Sequence, residues 1–229
     1  MEIIVPEVPE FRAIIVDIEA THLKADFGLV IMAGVMTLSP KWIDGDDRVI
    51  TTWLSTMEAL LRKEPVELPN KWLLKRWGIQ VFRIDDNLLE FRRDNTNDKH
   101  VLMRLFNELA NAQVVLGYNT EKFDLKFLRS RAAFWNLPFP SGFYHGDIYT
   151  AARRIFTLHN RSLDSVAAHL GLSLKTPVRP HIWLDALNVG ERGKQARDYI
   201  AAHLIFDLLT TAYVYKRVWM HVKLRQVAI

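Results

Sequence analysis

The chain has 229 residues, a formal net charge of +4 and no cysteine, which excludes disulfides and thiolate metal sites. Its content of 49% hydrophobic and 24% charged residues is typical of a globular protein with a hydrophobic core. The N-terminus lacks a signal-peptide pattern, and the longest uncharged apolar stretch, residues 28–38, is too short to span a bilayer. We therefore expect a cytoplasmic protein without a membrane partner, whose positive charge permits a nucleic-acid partner without requiring one.

The first half of the chain predicts mainly strands. Continuous β-rich runs at 11–20 and 28–38 indicate two buried strands, and a third is predicted over 48–55, after the turn-like Asp-Gly-Asp-Asp. The pattern over 56–95 is weaker: MEALLRK and KWLLKRW are helix-like, and IQVFRI favours a strand.

The second half predicts helices around one more strand. Apolar residues recur at helical spacing, and turn residues such as Ser162 and Gly171 mark helix ends. The predicted helices span 98–112, 121–135, 161–171 and 195–221, and the strand spans 112–119. No repeat, low-complexity tract or linker interrupts this α/β order, so we predict a single domain over residues 1–229.

Two acidic residues, Asp17 and Glu19, lie in the first predicted strand. Residues i and i+2 of a strand point to the same face. Carboxylates on one face of a strand suited to burial are costly unless positive charge compensates them. The alternative is an exposed strand end without function, which the preceding Ile-Ile-Val disfavours.

Two further acidic residues follow in predicted helices. Asp124 lies in the first turn of its helix, where a negative charge is favourable for purely structural reasons. Asp207 lies midway along the long apolar helix at the end of the chain, where a solvated face is the alternative to a cleft. Flanking Ile200, Leu204 and Leu208 favour a covered face.

The four carboxylates have no lysine or arginine obviously placed in the sequence to neutralise them. Oxygen ligands suit hard divalent cations such as Mg²⁺ and Mn²⁺. Two such ions about 3.5–4 Å apart can activate a water and hold a scissile phosphate.

Three motifs carry a family resemblance. DIEAT (17–21), GYNTEKFDLKFL (117–128) and a segment ending in HLIFD at Asp207 resemble, in order, the three motifs of the DEDD exonucleases. The arrangement is similar to the exonuclease domain of family-B DNA polymerases. The resemblance implies a ribonuclease H-like fold, an α/β mixed sheet flanked by helices. It also implies 3′→5′ removal of nucleotides from single-stranded DNA or RNA ends, with Asp17, Glu19, Asp124 and Asp207 as ligands of two Mg²⁺ or Mn²⁺ ions.

His203 departs from that pattern. One branch of the superfamily has Tyr four residues before the last Asp, and the other has His five before it; here His203 lies four before Asp207. A four-residue step leaves the two side chains about 40° apart on a helix, so they share a face. Histidine is suited to accept a proton near neutral pH. We predict that His203 orients or deprotonates the attacking water; the alternative is a packed histidine.

Substrate contacts are predicted around the second motif. Asn119, Phe123 and Lys122 precede Asp124, and Lys175 belongs to a later group of basic residues that could neutralise phosphates. Each has a structural alternative: Asn119 closing its turn, Phe123 packing in the core, and the lysines being merely solvated.

Other functional classes remain open from the sequence. A structure-selective endonuclease would use similar carboxylates on the same fold, and a catalytically inactive nucleic-acid-binding module would explain the unusual His203. No polymerase region follows the third motif, so the resemblance implies a free-standing nuclease, whose partners could belong to replication, repair or RNA processing. The sequence does not decide whether the substrate is DNA or RNA, and it does not give the oligomeric state.

Overall fold

The computed structural model describes residues 11–39, 46–172 and 181–228. Six strands form one sheet in the order β3-β2-β1-β4-β5-β6. The strands are β1 (Ala13–Ala20), β2 (Val30–Thr37), β3 (Ile79–Arg83), β4 (Val114–Gly117), β5 (Tyr144–Asp147) and β6 (Leu224–Gln226). Strands β2 and β3 run antiparallel to their neighbours, as does β6, whereas β1, β4 and β5 are mutually parallel.

Helices flank this sheet, which confirms the predicted α/β class with a mixed sheet. The helices are α1 (Arg48–Leu61), α2 (Lys71–Trp77), α3 (Leu88–Arg93), α4 (Lys99–Ala110), α5 (Asp124–Phe134), α6 (Ile148–Ile155), α7 (Leu163–His169), α8 (His181–Asp185) and α9 (Glu191–Val218). No helix within the described ranges combines the length and the apolar character that crossing a membrane requires.

The prediction of a third strand over 48–55 is wrong. These residues form the first half of α1, in which Ile50, Leu54 and Met57 are buried. Their spacing of four and three residues places them on one helical face, which packs against α9. The β-branched residues of RVITTWLS favoured a strand, but the longer apolar period, which continues into MEALL, determines the structure.

The centre of the sheet explains why the predicted strand at 11–20 is apolar. Ile14 and Val16 of β1 belong to one core cluster, and Ile15 belongs to the cluster on the other side. Because β1 and β4 are parallel, their carboxyl ends meet at the same edge of the sheet. The second half of β1 and the segment after β4 therefore lie side by side.

Helix α9 crosses close to the sheet. Asp17 of β1 is paired with Gly34 of β2, and a Cβ atom at Gly34 would lie 2.7 Å from Cδ1 of Leu208. A larger residue at this position would require the Leu208 side chain to shift, so glycine favours the close packing of the helix on the sheet. Because Leu208 packs this closely on the sheet, the preceding residue of the helix, Asp207, lies near β1.

A buried ion pair fixes α5 against β2. Asp98 is fully buried and accepts hydrogen bonds from two nitrogens of Arg131, at 2.9 and 2.8 Å, from Trp135 Nε1 at 2.6 Å and from the Val30 amide at 2.9 Å. This network satisfies both charges, as burial requires. The Arg131 guanidinium is therefore engaged within the protein and is not available to a phosphate.

Candidate metal centre

Three elements bring the predicted carboxylates together. Asp17 and Glu19 lie in β1, Asp124 is in the first turn of α5, and Asp207 is midway along α9. The main-chain amide of Ile18 donates to Oδ1 of both Asp17 and Asp124, at 3.1 and 3.2 Å. One backbone N–H thus links the first and second motifs.

The third motif completes the cluster. Glu19, His203 and Asp207 each offer a ligand atom, and these three atoms lie within 4.8 Å of one another. Nε2 of His203 is 3.5 Å from Oδ2 of Asp207, so the two residues share a face of α9 as their spacing predicts. The structure therefore places all five predicted catalytic residues in one site, although their roles stay predictions.

The carboxylates repel one another. Burial raises the pKa of Asp17 well above its usual value, and the charge of Asp207 raises it further. Burial likewise raises the pKa of Glu19, with added repulsion from Asp17 and Asp207, and that of Asp124, with repulsion from Asp17. Within the described ranges, no lysine or arginine forms an ion pair with any of these four acidic residues.

A fifth carboxylate adds negative charge near these four. Burial raises the pKa of Asp207 to about 8, and the charge of Asp164, in the first turn of α7, adds to the shift. Asp164 is half-buried and is not among the residues predicted from the sequence. In the sequence it has the pattern of an ordinary acidic residue after the N-cap Ser162, and only the fold brings it near α9.

The donor set fits a hard divalent cation. Buried or half-buried oxygen ligands with raised pKa values and no ion-paired cation in the described structure are the arrangement that Mg²⁺ or Mn²⁺ would stabilise. Asp17, Glu19, Asp124 and Asp207 would hold such an ion, as the sequence resemblance implies.

His203 is buried beside this cluster, with 8% of its surface exposed. Burial lowers the pKa of its imidazole, and the charge of Asp164 opposes that shift. The net lowering favours the neutral ring at physiological pH. A neutral imidazole is the form that can accept a proton.

Trp183 is a second residue that the sequence does not predict for the site. Its indole Nε1 donates to Glu19 Oε2 at 2.8 Å. Trp183 lies in α8, separated from Glu19 by more than 160 residues, and no motif marks it.

A groove opens beside the second motif. Its walls include Tyr118, Asn119, Lys122, Tyr149 and the segment 159–163. Asn119 adopts a left-handed backbone conformation, with φ 64°, and its main-chain oxygen accepts from the amides of Lys122 and Phe123. The turn is closed by the backbone, and the Asn119 side chain has no hydrogen bond to any other described residue.

Two of the remaining predicted substrate contacts, Lys122 and Phe123, lie beside neighbouring grooves. Lys122 is exposed and its Nζ lies 5.8 Å from the ring centre of Tyr149. Phe123 is half-buried and stacks at a tilt on Phe127, on the side of a neighbouring groove. Lys175 lies outside the described residues.

The raised carboxylate pKa values predict how pH affects the stability of the metal-free protein. Unfolded Asp and Glu titrate near 3.9 and 4.3, so between about pH 4 and 8 the folded site binds more protons than the unfolded chain. The free energy of unfolding should therefore fall as pH rises through this window. We expect thermal denaturation in EDTA to show this fall, Asp207→Asn to reduce it, and Mn²⁺ at pH 8 to reverse it. A wild-type profile identical to that of Asp207→Asn would contradict the prediction.

Comparison with known proteins places this chain in a family. The sequence profile of the RNase H superfamily matches residues 76–219, a span that contains Asp124, His203 and Asp207. A comparison with curated proteins finds no significant match. The fold is similar to the solved family B DNA polymerase from the hyperthermophilic archaeon Pyrobaculum calidifontis, with a TM-score of 0.62 and 16% sequence identity over 92% of this chain. This chain spans 25% of the polymerase chain.

These comparisons confirm the predicted ribonuclease H-like fold and the predicted resemblance. At 16% identity the polymerase match shows the fold alone. The profile, by contrast, covers more than half of the sequence. The chain belongs to the RNase H superfamily.

Proposed function

We propose that this chain is a 3′→5′ exonuclease that hydrolyses phosphodiester bonds at the ends of single-stranded DNA or RNA. One observation carries the proposal: Asp17, Glu19, Asp124 and Asp207 converge from three elements, without an ion-paired lysine or arginine in the described structure. Membership of the RNase H superfamily supports nucleic acid as the substrate. The sequence motifs, which resemble polymerase exonuclease domains, support the polarity.

Divalent cations would bind to the four carboxylates. Two Mg²⁺ or Mn²⁺ ions held there would supply positive charge for the scissile phosphate and lower the pKa of the attacking water. The protein contributes fixed positions: the Ile18 amide holds one oxygen each of Asp17 and Asp124, which leaves their other oxygens as ligands.

His203 acts on the attacking water. Its Nε2 faces Asp207 within the carboxylate cluster, and burial keeps the imidazole neutral at physiological pH. It can therefore orient the water and accept its proton. A tyrosine at this position would mainly donate a hydrogen bond, because its reference pKa is near 10.

The groove beside the second motif accepts the strand. Asn119 presents a carboxamide without a hydrogen-bond partner among the described residues, and Lys122 is exposed beside Tyr149. Nε of Arg161, in the same wall, is buried without a hydrogen-bond partner in the described structure. A phosphate would satisfy this donor, and the tyrosine rings offer surfaces for unpaired bases.

End-labelled substrates test the proposed polarity. With Mg²⁺ or Mn²⁺, a 3′-labelled single strand should release labelled mononucleotide from the start of the reaction, whereas a 5′-labelled strand should shorten stepwise. DNA and RNA strands of the same sequence, assayed in parallel, show which of the two polymers is the substrate. EDTA should stop both reactions.

The same assay separates the alternatives. Early internal fragments and cleavage of a circular single strand would indicate an endonuclease. Binding without product at any metal concentration would indicate a catalytically inactive binding module. Hydrolysis that continues in EDTA would contradict the metal centre itself.

A further inference from the structure

Trp183 contacts two of the predicted catalytic residues at once. Its indole Nε1 donates to Glu19 Oε2 at 2.8 Å. Its ring meets the His203 ring edge to face, with centroids 5.7 Å apart and an interplanar angle of 88°. It meets Tyr199 similarly, at 6.5 Å and 82°. One half-buried side chain thus joins β1 to α9 inside the site.

The segment that follows Trp183 is fixed to α9. Arg197, which is 1% exposed, donates from Nη1 to the main-chain oxygens of Ala186 and Asn188, both at 2.7 Å. Its Nε donates to Asp85 at 2.7 Å. A Cβ at Gly193 would lie only 1.7 Å from the Asn188 oxygen, so this approach requires glycine. Helix α8 is therefore held by the helix that carries His203 and Asp207.

The chemistry of an indole suits this position. Its N–H is a donor only, so it can bind the ionised carboxylate and cannot itself become a metal ligand. Occupying Oε2 of Glu19 leaves the other oxygen for a cation and restricts the rotation of the carboxylate. Residues that orient a ligand in this way typically change metal affinity by 10–100-fold when they are replaced.

We propose that Trp183 is a positioning residue for the metal centre, which fixes Glu19 through its N–H and His203 through its ring. The inference rests on the proposed function for its metal. It assigns two separable tasks to one side chain. Loss of the N–H should weaken cation binding, and loss of the ring should also disturb His203.

Two variants separate these tasks. Trp183→Phe keeps a ring and removes the donor, so the dissociation constant for Mn²⁺, measured by calorimetry, should rise by about 10-fold or more. Trp183→Ala should show the same weakening and, in addition, a lower kcat at saturating Mn²⁺. Trp72→Phe, at an exposed tryptophan of α2, is the matched control and should leave both quantities unchanged. Circular dichroism in EDTA verifies that each variant is folded.

A measurement without metal tests the contact directly. The indole ¹H–¹⁵N resonance that disappears in Trp183→Phe should shift in Glu19→Gln and stay in place in Glu90→Gln, a matched change at an exposed site on α3. If Glu19→Gln leaves that resonance unmoved, or if Trp183→Phe binds Mn²⁺ within twofold of wild type, the positioning role is wrong.

The results distinguish the inference from the proposed function. A wild-type protein that cleaves nucleic acid, with unchanged Mn²⁺ affinity in Trp183→Phe, would overturn only the inference. Weakened Mn²⁺ binding in the variant of a protein that cleaves no nucleic acid would support the inference and overturn the function. A wild-type protein that binds no Mn²⁺ would overturn both.

Discussion

Replacing Asp17 or Asp124 with Asn should lower kcat by more than about 100-fold. Loss of a residue that only hydrogen-bonds to a metal ligand typically costs about 10–100-fold, and loss of a ligand itself should cost more. Each change removes one negative oxygen from the site while conserving side-chain volume. The metal-free variants should denature at a higher temperature than wild type at pH 8, because they relieve repulsion among the clustered carboxylates. Steady-state kinetics and thermal denaturation in EDTA check both parts.

Glu90→Gln is the matched control for these variants. Glu90 is exposed on α3, outside the carboxylate cluster, so the change should alter neither rate nor stability appreciably. Near-normal turnover of Asp17→Asn at saturating Mg²⁺ would mean that the ligands have been wrongly assigned. Lower metal-free stability in both Asn variants would contradict the electrostatic explanation.

Replacing His203 with Ala should lower kcat by about 10²–10⁴-fold, the usual range for a positioned acid–base group. The wild-type rate should rise with pH as the imidazole loses its proton. Burial lowers the pKa of His203, and bound cations would lower it further, so this rise should occur below the ordinary value of about 6.5. The rate–pH profile of wild type and variant tests this assignment.

His203→Tyr is the sharper variant. The four-residue spacing to Asp207 is that of the tyrosine branch, so a tyrosine should fit and restore part of the activity lost in His203→Ala. It should also flatten the pH dependence near neutrality, because a phenol does not titrate there. Identical rates and pH profiles for wild type and His203→Ala would reduce His203 to a packed helix residue.

Much of the site could be predicted because its residues follow local patterns. Asp17 and Glu19 interrupt an apolar run at a two-residue step, and the strand there is central, as that run indicates. Asp124 follows a short buried strand and begins a helix. The pairing of His203 with Asp207 depends only on the helical period.

The parts that could not be predicted depend on contacts between distant segments. Asp164 and Trp183 reach the site because α7 and α8 pack against α9, which no spacing in the sequence expresses. The ion pair that engages Arg131 is formed with Asp98, 33 residues away in the sequence. In α1, β-branched composition and helical periodicity conflict, and packing against α9 selects the helix.

Diffraction from crystals soaked in Mn²⁺ tests most directly whether the four carboxylates form one metal centre. Data collected above the manganese absorption edge should show two anomalous peaks about 3.5–4 Å apart between β1, α5 and α9. Oxygens of Asp17, Glu19, Asp124 and Asp207 should lie within about 2–2.6 Å of these peaks, the range for divalent cations with oxygen ligands. Anomalous density elsewhere on the protein, with none among these four side chains, would contradict the account.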